Sequence, residues 1–310
     1  MKYILAQPAT FYFTWQLETS IYSLLNIGVK AEDIQIVSGL INGEKEEGFY
    51  GLEQKYKGVN FFYYYDNRKD KSYLPSIRPH VLKKHWRAFP DLEKETVLYM
   101  EADTILLRKL DEQKLTKSKK WLCADTVEYV GYNHLIEKGD EFLKAFSSIV
   151  GLPTEVIKEN QKNSGGAQYV LKGLTFEYWE KVEKDATAIY KKAIELNEKL
   201  KPNKPEGWAP IQIWTADMWA FNFNAWLFGF ETKVDRSLSF VWPHNDKKLL
   251  KSRSFFHNAG VIDKGQFLRK QDYRYTLPYG DQIEINQKKA GAYYYALVQE
   301  VGKKTILKNP

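Results

Sequence analysis

Cysteine is all but missing from this chain: Cys123 is the single one among 310 residues. A lone thiol excludes an intramolecular disulfide and any zinc site assembled from several thiolates. No apolar run approaches the roughly 18 residues of a spanning helix, so the sequence offers no membrane span. Neither G-x-G-x-x-G nor the spacing of a P-loop occurs, which removes the commonest signatures of dinucleotide and phosphate-cradling loops. The opening Met1-Lys2-Tyr3-Ile4-Leu5-Ala6-Gln7-Pro8 breaks its apolar stretch too early for a signal-peptide core. No repeat appears, and no low-complexity segment longer than the loop Lys201-Pro202-Asn203-Lys204-Pro205. The expectation is a soluble protein of a reducing compartment, most simply the cytoplasm.

What is present is ample material for a core. The chain is 44% hydrophobic and 15% aromatic, against 27% charged, which excludes wholesale disorder. Its 46 basic and 39 acidic residues leave a net charge of +7. The excess is concentrated. Residues 247–274 hold Lys247, Lys248, Lys251, Arg253, Lys264, Arg269, Lys270 and Arg274 against Asp263 and Asp272. Such a local field favours a phosphate-bearing ligand or partner, and equally serves a solvated surface.

Periodicity predicts an α/β domain. Tyr3–Ala6 reads as a buried strand, Thr14–Ile27 as a helix with an apolar stripe, and Ile34–Ser38 as the next strand. This βαβ opening implies a parallel sheet with right-handed crossover. Asn60–Tyr65, Thr96–Met100, Trp121–Ala124 and Tyr169–Leu171 are further strands, the last entered from a glycine turn. Arg78–Phe89 and Asp140–Val150 are predicted helices, and Phe176–Leu200 a long, surface-facing one. Thr96–Met100 is the strongest buried strand and is placed centrally. Residues 1–275 are expected to form one domain, with 276–310 as a C-terminal extension whose Ala290–Val301 is helical.

Several residues could carry chemistry. Glu101-Ala102-Asp103 follows the strongest strand directly, where open α/β sheets place their ligands. Two carboxylates one residue apart can share a Mg²⁺ or Mn²⁺ ion, which in turn bridges a diphosphate. The site is expected to be surface-accessible, with Asp103 contributing little to packing. Phe255-Phe256-His257-Asn258-Ala259-Gly260 ends a second apolar run in a metal-capable side chain. An imidazole added to two carboxylates fits Mn²⁺ better than Ca²⁺.

Asn163-Ser164-Gly165-Gly166 offers amides and small polar groups for close approach to a ligand, or an ordinary tight turn. Within the aromatic stretch Trp208–Phe230, Asp217 is the one acid, costly there unless paired or catalytic. Trp214, Met218, Phe221 and Ala225 are expected to share a core-facing helical side.

Together these pieces resemble nucleotide-sugar glycosyltransferases of the GT-A fold, with a mostly parallel central sheet flanked by helices. The nearest likeness is to plant hydroxyproline arabinosyltransferases and peptidyl-serine galactosyltransferases. It rests on R-P-H-V-L-K-K-H-W at 78–86, Y-M-E-A-D-T-I-L-L-R-K-L at 99–110, N-S-G-G-A-Q-Y-V-L-K at 163–172, G-W at 207–208 and F-F-H-N-A-G at 255–260. The resemblance implies that Glu101, Asp103 and His257 ligate Mn²⁺ or Mg²⁺ against the donor diphosphate. It also implies donor contacts at Thr10, Arg78, Asn163, Ser164, Gly165 and Gly166, a UDP-sugar donor and retention of configuration. Asp217 would lie by the transferred sugar. The basic segment and the aromatics favour hydroxymethylated pyrimidine in DNA as acceptor; protein or glycan hydroxyls are the alternatives. A non-catalytic carbohydrate- or nucleic-acid-binding protein of the same fold is the non-enzymatic reading.

Overall fold

The computed structural model describes residues 1–203, 205–261 and 266–309. Its elements run β1 (Lys2–Pro8), α1 (Phe11–Asn26), β2 (Ile34–Leu40), α2 (Glu47–Lys55), β3 (Asn60–Tyr65), α3 (Ile77–Ala88), β4 (Val97–Met100) and β5 (Thr104–Leu106). Next come α4 (Glu112–Lys117), β6 (Trp121–Asp125), α5 (Val127–Val130), α6 (Tyr132–Lys138), α7 (Asp140–Val150), α8 (Thr154–Glu159) and β7 (Gly165–Leu171). The rest are α9 (Phe176–Leu200), α10 (Ala216–Leu227), β8 (Thr232–Val234), β9 (Phe240–Val241), β10 (Phe255–His257) and α11 (Gly291–Gly302).

Seven strands form a mostly parallel sheet in the order β3-β2-β1-β4-β7-β6-β8, with β4 fourth of the seven. All four β4 residues are buried, as their unbroken apolar run requires. This is the α/β architecture of GT-A type that the sequence implied. A second sheet, β5-β10-β9, has three strands. Backbone contacts group the chain into two units. One holds Met1–Asp66, Tyr99–Gln113 and Arg236–Pro310, and the other Asn67–Leu98 and Lys114–Asp235. Residues 276–310 thus belong to the first unit.

In the first unit, β1 pairs parallel with β2, and β2 with β3. Leu17, Ile21 and Leu24 of α1 are fully buried, which is the apolar stripe that makes this segment helical. The helix begins at Phe11, earlier than its stripe foretold, because the Phe11 N–H is satisfied by the Glu46 carboxylate. Glu18 is also fully buried on α1; it accepts from Lys55 at 2.6 Å and from Thr305 at 2.8 Å.

The second unit is built on aromatic packing. Trp86 packs on Trp179 at 5.5 Å, Trp179 on Phe221 at 5.7 Å, and Trp121 stacks on Phe230 at 4.1 Å. Three expectations change here. Helix α9 does not merely face outward: Trp179, Val182, Ala186, Ile189, Ala193 and Leu196 form a buried stripe, and the helix packs on α3 and α10. Trp214 lies before α10 begins and is 65% exposed, so it is not on that helix's core side. And Gly165 and Gly166 are strand, not turn.

The two glycines are needed for space. A Cβ on Gly165 would collide with the Cβ and Sγ of Cys123 on β6, and one on Gly166 with Met218 Cε and, at 2.8 Å, Thr126 Cγ2. The β6–β7 pairing is antiparallel and shifts register beside Cys123, matching Tyr169 to Cys123 but Gly166 to Ala124. Ala167, in the resulting bulge, adopts a left-handed φ of 63°, a conformation costing about 1 kcal/mol or more for a residue with a Cβ.

His85 of α3 gives a pH-dependent prediction. It is fully buried, 4.9 Å from the Phe89 ring, and burial lowers its pKa from 6.5 to about 4. The folded state keeps the imidazole neutral where the unfolded chain takes up a proton. Its stabilisation is therefore complete above pH 6.5 and declines as pH falls towards 4. Between pH 7 and 5, wild type is expected to lose about 2 kcal/mol more stability than His85→Phe. Urea unfolding at the two pH values checks this, and equal losses in both proteins would exclude it.

Candidate functional site

The acidic motif is the link between β4 and β5. Thr104 closes it as a tight turn, its N–H and hydroxyl both donating to the Glu101 carbonyl, at 3.1 and 2.6 Å. Strand β5 then pairs antiparallel with β10, setting His257 opposite Thr104. The ladder continues one bond further, from Asn258 N–H to the Asp103 carbonyl at 2.9 Å. From α1, the Ser20 hydroxyl donates to the Thr104 carbonyl at 2.9 Å. Residues 150 positions apart in sequence thus become neighbours through strand register.

The side chains converge. His257 Nε2 lies 3.1 Å from a Glu101 oxygen and 3.3 Å from Asp103 Oδ1. One ligand atom from each residue lies within 4.8 Å of the other two. Trp242 stacks on the imidazole at 4.9 Å and Phe240 meets it edge-on, so the ring is held in one orientation. Asp103 and His257 are 6% and 5% exposed, so the expectation of an accessible Asp103 with little part in packing is corrected.

Lys270 pairs with the other Asp103 oxygen. Burial opposes charge on Asp103, His257 and Lys270, but the mutual attraction prevails. Asp103 is held well below the usual carboxylate range by Lys270 and His257, and His257 is raised to about 9 by Asp103 and Glu101. Lys270 is likewise raised. The cluster is a balanced set of two anions and two cations, which is how buried charge is tolerated.

Two carboxylates and an imidazole with convergent ligand atoms fit a divalent cation such as Mn²⁺ or Mg²⁺. The Nδ1 atom of His257 is buried and has no hydrogen-bond partner among the described residues, while Nε2 faces the carboxylates. Nε2 is then the atom that could ligate a metal, once it has shed its proton.

A cavity of about 460 Å³ opens at the C-terminal ends of β1 and β2 in the same unit. Ala9, Thr10 and Phe11 line it, with Asn42, Tyr50 and Tyr275. Thr10 makes no capping bond with its own side chain. Glu44, Glu46 and Glu47 also line the cavity with the one cation Lys45, so the lining is net negative and disfavours phosphate. Two residues on, Tyr12 senses both Lys270 and Asp103; burial raises its pKa. The Ala9–Tyr12 stretch therefore runs from the cavity to the acidic cluster.

The other sequence candidates lie in the second unit. Asp217, at the first turn of α10, pairs with Arg78 and accepts the Tyr73 hydroxyl at 2.9 Å. That hydroxyl also donates to the Trp214 carbonyl at 2.7 Å. The acid amid aromatics is thus paired. Asn163 precedes β7 and its carbonyl accepts from Thr232 at 3.0 Å; the Ser164 carbonyl accepts weakly from Thr126 at 3.4 Å. Gly165 bonds Asn222 of α10 through both its N–H and its carbonyl, at 3.2 and 2.8 Å.

Of the basic segment, Asp263 and Lys264 lie outside the described residues. Arg269 pairs with Asp272 and Lys270 with Asp103, while Lys247, Lys248, Lys251 and Arg274 are exposed. Lys270 escaped sequence reasoning because it was one cation in a run, with no local signal of its partner. Tyr12 and Tyr294 carried none either; Tyr294, from α11, stacks on Phe256 at 4.8 Å and feels the Asp103 charge.

No family model and no curated protein matches the sequence. Solved structures do match. The chain superposes over 99% of its length on the apo structure of the WbbM bifunctional glycosyltransferase, with a TM-score of 0.53 and 9% identity. The fold is that of a glycosyltransferase. The chain spans 50% of the WbbM chain. An active-site mutant of LgtC also aligns, over 99% of this chain and 97% of that one, with 13% identity and a TM-score of 0.49. No helix among the described residues is long and apolar enough to cross a membrane.

Proposed function

We propose that this protein is a metal-dependent glycosyltransferase that moves a sugar from a nucleotide-sugar donor, a UDP-sugar, to an acceptor hydroxyl. The observation that carries the reading is the convergence of Glu101, Asp103 and His257 at the end of the central strand. When bound there, Mn²⁺ or Mg²⁺ supplies positive charge against the diphosphate that departs from the anomeric carbon.

The chain's own residues do the rest. Thr10, Tyr50 and Tyr275 receive the nucleoside, the exposed tyrosine rings offering faces for the base. Lys270 keeps Asp103 ionised and adds one fixed positive charge where phosphate negative charge develops. Asp217, paired with Arg78 and hydrogen-bonded by Tyr73, is the proposed acid for steadying positive charge at the anomeric carbon or orienting the acceptor. Of Asn163 to Gly166, the half-buried Asn163 side chain would contact the donor sugar. The plant arabinosyltransferase and galactosyltransferase likeness favours retention.

For the acceptor, hydroxymethylated pyrimidine in DNA is the first choice, supported by the exposed cations Lys247, Lys248, Lys251 and Arg274. Protein and glycan hydroxyls complete the acceptor set to be assayed. Incubation with Mn²⁺ and a panel of UDP-sugars is expected to release UDP, faster with the true acceptor. Tyr275→Ala is expected to weaken UDP binding about tenfold by calorimetry, since base stacking contributes about 1–3 kcal/mol. Donor turnover that persists in excess EDTA would overturn the metal role, and the absence of UDP release with any donor would return the protein to the binding class.

A further inference from the structure

A second cavity, of about 640 Å³, lies wholly in the second unit, walled by α3, α9 and the loop after β3. Its lining is cationic from three directions. Helix α3 contributes Lys83, Lys84 and Arg87, α9 contributes Lys184 and Lys191, and the loop adds Arg68 and Lys69. Three carboxylates face these seven cations: Asp70, Glu180 and Glu183. The α3 residues sit one turn apart on one side of their helix, as do Glu180, Lys184, Ala188 and Lys191 on α9. The two helices pack together, so like charges are brought into the same concave space. That arrangement is self-repelling unless something anionic enters it.

Internal partners account for part of the charge. Glu183 is shared by His80 at 3.0 Å and Lys83 at 2.5 Å, and Asp70 takes Lys191 at 2.5 Å. Lys84 donates to Asn67 at 2.6 Å. Among the described residues, no carboxylate pairs with Lys69, Arg87 or Lys184, one from each wall, and all three are exposed. Thr187 and Ala188 on α9 keep the cavity wall short. Seven cations against three carboxylates leave the lining with about four excess positive charges, since the Asn67 amide that Lys84 meets is neutral.

We infer that the α3–α9 cavity is an anion site for a compact group bearing two or more negative charges, a terminal phosphate or pyrophosphate. It is distinct from the Glu101–Asp103–His257 cluster and does not rest on the proposed transferase activity. A guanidinium, seated over the Phe176 ring at 4.3 Å, and two ammonium groups from separate elements line one concavity, whereas a flat basic surface would hold a polyanion without it.

Calorimetric titration with inorganic pyrophosphate in EDTA tests the assignment. Wild type is expected to bind, with affinity falling as salt is added. The exposed triple variant Lys69→Glu, Arg87→Glu, Lys184→Glu is expected to bind at least tenfold more weakly while keeping its melting temperature. Asp103→Asn is expected to bind pyrophosphate as wild type does, which separates this cavity from the metal cluster. Glucose 1-phosphate should bind as well. Absence of binding at low salt, an unchanged triple variant, or succinate binding as well as pyrophosphate would overturn the proposal.

Discussion

Asp103→Asn is expected to lower turnover about a thousandfold, as removal of one charge-stabilising group does in a preorganised site. The substitution keeps the shape of the side chain and removes its charge. It therefore removes one candidate metal ligand, takes from Lys270 the carboxylate it pairs with, and leaves His257 with Glu101. A buried cation stripped of its counter-charge is costly, by about 3 kcal/mol or more. Lower thermal stability is thus expected beside the kinetic loss, since Asp103 is part of the packed interior. The two effects separate experimentally. Mn²⁺ binding followed by electron paramagnetic resonance on folded Asp103→Asn should be lost, and UDP release should fall with it. Turnover within a few fold of wild type in a folded variant would refute the assignment of Asp103.

Gly165→Ala is expected to lower stability through packing alone. The new methyl would sit against the Cβ and Sγ of Cys123 and 3.1 Å from the Ala124 carbonyl. A Cβ and a carbonyl are anchored to backbone and cannot swing away, so β6 and β7 must separate locally. Overpacking of this kind costs about 3 kcal/mol, which for a chain of this size lowers the melting temperature by about 5 °C. Gly166→Ala should cost less. Its closest obstacle is Met218 Cε, the free end of a flexible side chain. Cys123→Gly in the Gly165→Ala background restores room for the methyl and should recover part of the loss. Melting of Gly165→Ala at the wild-type temperature would show that the strand pair has slack it is not expected to have.

The same glycines show how far the sequence could be read. Their function as conformationally free turn residues was inferred from composition, whereas their φ values are not what makes them necessary. Cys123, 42 positions earlier than Gly165, is. No local pattern announces which atom a strand neighbour will place against a missing Cβ.

By itself, the sequence determined the burial of β4, the βαβ opening, the apolar stripe of α1 and the helical character of α9, because alternation and 3.6-residue spacing are local properties. It also determined that Glu101 and Asp103 stand at the end of the central strand, since an apolar run stops where they begin. Tertiary structure decided the partners. Strand register between β5 and β10 carried His257 to the two carboxylates. Lys270, counted in the sequence as one of a basic run, was drawn into that cluster because buried Asp103 requires opposite charge. Arg78 and Asp217, read separately as a donor contact and a lone acid, are one ion pair. Charges choose partners by distance after folding, and that distance is set by packing between segments far apart in the chain.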